Sequence, residues 1–263
     1  MSDLTPGTRS GEDVGWRNVG GVLTLWLRRP DSLNSINADL LDDLADLVEG
    51  AAATDARVIA LRAEGRGFCS GADLESVEDD DDHATLHAGE RLVRAMVATP
   101  LPVVTAVQGP CAGMGVPIAL AADLTLASDA AFFMLAFTKI GLMPDGGATA
   151  LVAASVGRAT AMRMALLAER LSADEAHTQG LIATVTRSDA FEDHVTTTVD
   201  RLAHGPSAAF AHTKAAVNAV TLGAFDRGFV LERKGQLGLL AADDFAEGVT
   251  AFREKRRPVF GDR

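Results

Sequence analysis

The stretch that most constrains this chain runs from Pro102 to Asp123, PVVTAVQGPCAGMGVPIALAAD. Val103 to Val107 is a short, apolar, β-branched run between breakers, the pattern of a fully buried strand. Gly109-Pro110 ends it. Gly113-Met114-Gly115 follow, where backbone turns tightly or lies close to something. Val116 to Ala122 is apolar on every side, so a helix there is wholly buried. Pro117 suits its first turn, where a missing N–H costs little. Strand, glycine turn and helix leave free N–H donors behind small residues. Such a place can take an anion or an oxyanion, and a tight strand–helix packing turn uses the same residues.

A second stretch has the same character. Arg66-Gly67-Phe68-Cys69-Ser70-Gly71-Ala72-Asp73-Leu74 follows another apolar run, Val58 to Leu61. Two such turns, each after a strand, could each supply one backbone donor to a single carbonyl oxygen.

Length and composition narrow the classes. The 263 residues suffice for one large domain, and 48% hydrophobic content supplies its core. Tyr is absent and aromatics are few, which suits close helix–sheet packing better than base stacking. A net charge of −12 argues against nucleic acid or an anionic membrane as main partner. Cys69 and Cys111 are too few for a disulfide framework and read as packed thiols. No signal peptide or apolar run of membrane-spanning length is visible, so a reduced cytoplasmic location is expected.

In chain order, Met1 to Asp13 reads as a loose terminus. Gly20-Gly21 reads as a hairpin turn before a strand ending at Leu27. Asn37 caps a helix with Leu40, Leu41, Leu44, Leu47 and Val48 on its apolar face. Glu78 to Asp82 is an acidic run, followed by His83, His87 and Glu90. Histidines at i and i+4 have metal-ligand spacing, while a solvated loop entering a helix with Leu86, Leu92, Val93 and Met96 buried fits equally; no metal is assigned. Asp123 to Ala127 reads as a strand, and Ala131 to Phe137 as a strand or pocket wall. Asp123 itself reads as a structural partner for backbone or an Arg. Ala148 to Val156 and Ala159 to Ala168 read as helices. Ser172 and Glu175 form a capping box. Ile182 to Val185 is a last strand, and Phe191 to Leu202 a helix. From Ser207 onward the pattern is helical only. Repeated strand–helix alternation predicts a mostly parallel α/β core, with residues 1–206 as core and 207–263 as a helical oligomerisation region.

In this order and spacing the motifs resemble the crotonase, or enoyl-CoA hydratase/isomerase, superfamily. Beyond the two turns they are Arg29-Pro30 with Leu33-Asn34-Ser35, then Gly141-Leu142-Met143-Pro144-Asp145-Gly146-Gly147. Leu171 to Ala176, Gly180-Leu181 and Phe252 to Arg256 complete them. The resemblance implies a spiral of ββα units with a C-terminal helical trimerisation element, assembled as a homotrimer or a dimer of trimers. It implies an acyl-CoA thioester substrate, with coenzyme A as part of the substrate and no separate cofactor. The thioester oxygen would accept the N–H groups of Ala72 and Met114, with the Met114 side chain pointing away. Leu33, Ser35, Ile36, Gly71, Asp73, Leu74, Gly113 and Phe137 would line the substrate channel. Lys255, in a C-terminal helix, would reach the CoA phosphates of a neighbouring subunit. The loop around the acidic run would select acyl length.

One departure matters. Typical hydratases of this family carry two glutamates where Pro117 and Phe137 stand, and neither of these can move a proton. Asp145 matches the acid of phenylacetate-pathway isomerases, and also the nucleophile of chlorobenzoyl-CoA dehalogenases. Pro-Asp-Gly is equally a common turn, which Asp favours by bonding its own backbone. The reading is a 3-enoyl-CoA to 2-enoyl-CoA isomerase with Asp145 as proton shuttle. The alternatives are a hydratase with another acid–base set, or a non-catalytic acyl-CoA-binding protein.

Overall fold

The computed structural model describes residues 7–9, 13–75 and 83–261. The acidic run from Glu78 to Asp82 lies outside the described residues. The first strands are β1 (Gly7–Arg9), β2 (Val14–Val19) and β3 (Val22–Leu27), paired antiparallel in that order, with the β2–β3 turn at Gly20-Gly21. The terminus expected to be loose therefore contains a strand. Its order comes from the ladder to β2, which composition does not reveal.

Helix α1 (Ala38–Ala51) starts at Asn37, whose side chain accepts the Leu40 N–H at 3.0 Å. It buries the five residues of its expected apolar face. Strand β4 (Val58–Ala63) precedes α2 (Ala84–Ala98). His83 stands before α2 in the left-handed region, φ 53°, so of the two histidines only His87 is in the helix. Among the described residues no group of three His, Cys, Asp or Glu could hold a metal.

Next come β5 (Val103–Val107), β6 (Pro110–Ala112) and α3 (Gly115–Leu120), every residue of which is buried. After β7 (Leu124–Ser128) and β8 (Phe132–Met134), a 3-10 turn spans Ala136–Ile140. Helix α4 (Ala148–Leu167) has the length and hydropathy of a membrane-crossing helix. Gly157, at φ 72° and ψ 167°, breaks it into the two helices expected from sequence. Then follow β9 (Leu171–Ser172), α5 (Ala173–Thr178) with its Ser172–Glu175 capping box, β10 (Thr184–Thr186) and α6 (Phe191–Ala203). Helices α7 (Ser207–Thr221), α8 (Phe225–Leu240) and α9 (Asp243–Arg253) complete the chain.

A seven-stranded sheet has the order β1-β2-β3-β4-β5-β7-β10, parallel from β3 onward, and β6-β8-β9 form a second sheet. Both faces of the central strands are covered, which is why they read as unbroken apolar runs. Val58, Ala60, Val104 and Ala106 meet α6 through Phe191, Val195 and Val199. Ile59, Leu61, Val103 and Val107 face the main core with Leu40, Leu44 and Leu92.

Helix α7 is tied to this core by a buried cation. Lys214 Nζ donates to Met96 O at 2.8 Å and to Leu101 O at 3.2 Å, and meets Asp123 Oδ2 at 2.9 Å. The same Asp123 carboxylate accepts the Val103 N–H at 2.7 Å. Asp123 thus has the structural role expected of it, bonded to backbone at Val103 and paired with a lysine rather than an arginine.

Candidate active site

The two small-residue turns lie side by side. Phe68 N and Cys69 N both donate to Pro110 O, at 2.9 and 3.1 Å, and Ala112 N donates to Cys69 O at 2.8 Å. Gly71 and Gly113 take positive φ, 100° and 52°. A Cβ on Gly71 would stand 3.3 Å from Ala112 O and 3.4 Å from Gly113 Cα. Only glycine allows both the conformation and this approach.

The register then exposes the donors. Ile36 pairs with Ala72 through Ile36 N–H to Gly71 O and Asp73 N–H to Ile36 O, both 2.9 Å. This leaves the Ala72 N–H facing the other way. Among the described residues neither the Ala72 nor the Met114 N–H has an acceptor. Both Cys69 and Cys111 are buried behind these turns. Burial pushes the Cys69 thiol up to about 12 and Cys111 well up too, so both act as packing groups.

A third loop braces the first turn. Asn34 is fully buried, accepts the Arg29 N–H at 2.8 Å and donates to Glu64 O and Gly67 O, each at 2.9 Å. The Arg29 guanidinium donates to Ser35 O at 2.8 Å and to Asp73 Oδ2 at 2.7 Å. Leu33, Ser35, Ile36, Gly71 and Asp73 are therefore brought together, with the Asp73 carboxylate engaged by Arg29. Arg253 at the end of α9 donates to Leu74 O at 3.0 Å. Lys255 lies just past α9 in the left-handed region, φ 54°, and not in the helix expected for it.

Asp145 sits on the turn that leads into α4. Its neighbour Gly146 lies against Met114 and Pro117: a Cβ there would overlap the Met114 sulfur and stand 3.3 Å from Pro117 Cγ. The Met114 side chain is buried between this turn and Gly89 of α2. The Asp145 turn therefore adjoins the residue that offers the second amide donor. Pro117 and Phe137 are both buried and carry no titratable group.

The half-buried Asp145 side chain is held by α8. Gln236 Nε2 donates to Asp145 Oδ2 at 2.7 Å, and Gln236 Oε1 accepts the Met143 N–H at 3.2 Å. Burial pushes the Asp145 carboxyl up to about 7; the Gln236 bond opposes this and the Glu232 charge adds to it. Glu232 is buried and accepts the Gly147 N–H at 2.7 Å, the Thr149 N–H at 2.8 Å and the Thr149 hydroxyl. It caps the N-terminus of α4, whose own residues supply no side-chain cap. Burial raises the Glu232 carboxyl as well, against the pull of these bonds.

Sequence reasoning missed Gln236 and Glu232. A signal was present: Phe225, Phe229, Glu232 and Gln236 recur at spacings of four, three and four, one helical face carrying two polar residues. Such a stripe implies buried polar groups with partners elsewhere.

Two backbone donors without an acceptor among the described residues, on adjoining turns of which one meets the turn carrying Asp145, are the kind of arrangement that can receive an oxyanion next to a carboxyl. The family model for enoyl-CoA hydratase/isomerase matches residues 17–263. A Rhodobacter capsulatus protein named probable enoyl-CoA hydratase is 42% identical over 246 residues, covering 92% of this chain and 95% of that one. The Escherichia coli K12 1,2-epoxyphenylacetyl-CoA isomerase is 38% identical over 248 residues, covering 91% of this chain and 95% of the relative. A crystal structure of an enoyl-CoA hydratase from Mycobacterium avium subsp. paratuberculosis K-10 matches with a TM-score of 0.90 at 49% identity, over 95% of this chain and 99% of that one. The chain belongs to the enoyl-CoA hydratase/isomerase family, the crotonase superfamily of enzymes, and has its α/β fold with C-terminal helices.

Proposed function

We propose that the protein moves the double bond of 3-enoyl-CoA thioesters to the 2-position, with Asp145 as the proton shuttle. One observation carries this reading: Asp145 stands on a turn whose next residue, Gly146, lies against Met114 and Pro117, while Pro117 and Phe137, which match the positions of the usual glutamates, carry no titratable group. The thioester oxygen would accept the N–H groups of Ala72 and Met114. Asp145 takes a proton from C2, the electrons spread through the dienolate onto that oxygen, and the same carboxyl returns the proton at C4. No water or redox partner enters the balance. A group that titrates near neutral pH can both take and give the proton. The donors would stabilise the enolate, and losing one such donor costs roughly 3–4 kcal/mol of barrier.

The Escherichia coli relative, named an isomerase of an acyl-CoA thioester, supports this class of substrate. CoA thioesters should bind, and free fatty acids poorly, because the donors are matched to a thioester oxygen. The test compares folded Asp145→Asn with wild type on trans-3-hexenoyl-CoA, and both on crotonyl-CoA. Loss of isomerisation with retained acyl-CoA binding is expected. Turnover within about tenfold of wild type would assign Asp145 to its turn, and crotonyl-CoA hydration would favour the hydratase alternative.

A further inference from the structure

We infer that Gln236 is the positioning residue that fixes the Asp145 carboxyl, presenting one oxygen to the substrate and holding the other. This rests on the isomerase reading of Asp145 and concerns how that carboxyl is held.

Gln236 is 2% exposed, so both ends of its amide need partners inside the protein. Its orientation follows from chemistry. The Met143 N–H can only donate, so the amide atom facing it at 3.2 Å is the oxygen. The NH2 group then faces Asp145 Oδ2 at 2.7 Å. Among the described residues no other side chain bonds to the Asp145 carboxyl. Oδ2 is therefore held by a side chain, the carboxyl's further hydrogen bond is to its own backbone, and Oδ1 has no side-chain partner.

The hold spans the whole turn. Gln236 takes Met143 and Asp145, and Glu232, one helical turn earlier, takes Gly147 and Thr149. Helix α8 thus bonds to the loop on both sides of Asp145. A neutral donor at Oδ2 also favours the ionised form, which burial and Glu232 oppose. The other charged groups on this side are Glu90 of α2, behind Glu232, with Arg94 and Arg233 paired to it. None of these bonds to Asp145.

Gln236→Leu keeps the helix and removes both amide contacts. With trans-3-hexenoyl-CoA as substrate, its kcat at pH 7 should fall by about tenfold or more with KM little changed. The midpoint of the rising limb of kcat/KM against pH should move up by about one unit, because the ionised carboxyl loses its donor. A residue that only packs α8 against the turn would lower stability without moving that midpoint. In the unaltered enzyme, the 15N resonance of the Gln236 side-chain amide should titrate with a midpoint near that of Asp145, and the titration should vanish in Asp145→Asn. This second measurement decides the matter even where Gln236→Leu does not fold. An unshifted pH profile in folded Gln236→Leu, or a Gln236 amide that stays flat between about pH 5 and 9, overturns the assignment. Asp145→Asn inactive with Gln236→Leu unshifted removes the role of Gln236 alone. Asp145→Asn with wild-type turnover removes the isomerase reading and the Gln236 role together.

Discussion

In the proposed reaction Asp145 would join catalysis to stability through one displacement, from the ordinary carboxyl value of 3.8 up to about 7 under burial. As a base it must be ionised, so kcat/KM should rise with pH through about 7 and level off above; a profile already flat at pH 5 would contradict this. The stability consequence has the opposite sense. The folded pKa lies above the unfolded one, so the fold favours the protonated form. That contribution is complete below about 3.8 and is lost as pH rises through about 7. Asp145→Asn is neutral at every pH. It should therefore be more stable than wild type at pH 8, by about 2–4 kcal/mol, with the difference closing towards pH 4. Urea denaturation at both pH values checks it. A variant that loses activity and gains stability is what the proposed role of a desolvated carboxyl requires.

At the scale of elements, the sequence pattern was most legible where a rule is local. Asn37, the apolar stripe of α1, strand β5, the all-buried α3 and the Ser172–Glu175 box were all readable from spacing and residue type. Strand β10 was expected at Ile182 to Val185 and lies at Thr184–Thr186, because its ends are set by pairing with Leu126–Ser128 of β7. Helix α7 depends on a contact no local pattern shows, the Lys214 ammonium against Asp123 and two carbonyls. Burial lowers the Lys214 pKa and raises that of Asp123, while their attraction opposes both shifts. Lys214→Met leaves the partly buried carboxylate without its cation. It should cost about 3 kcal/mol, read as a lower denaturation midpoint. Thioester binding by the folded protein should persist, since Lys214 is outside the site.

At the scale of the molecule, the C-terminal helices keep apolar side chains in water. Val217 and Val220 on α7, Val230 and Leu231 on α8, and Leu166 and Leu167 on α4 are all exposed. Phe225 and Phe229, by contrast, are buried within their own chain at an edge-to-face centroid distance of 4.8 Å. The exposed residues call for a partner surface, and the family resemblance implies a homotrimer or dimer of trimers; light scattering that returns a stable monomer at micromolar concentration would overturn that expectation. By itself the sequence determined the buried strands and the two glycine turns with their backbone donors, which follow from local conformation. The weight given to position 145 and to Pro117 and Phe137 came from the family resemblance of the motifs. Only the tertiary structure decided that Gln236, 91 residues further along, would hold that carboxyl, and that Glu232 would cap the helix beyond it. A buried polar group takes its partner from whatever element packs against it, and that packing is set by the whole core rather than by neighbours in the chain.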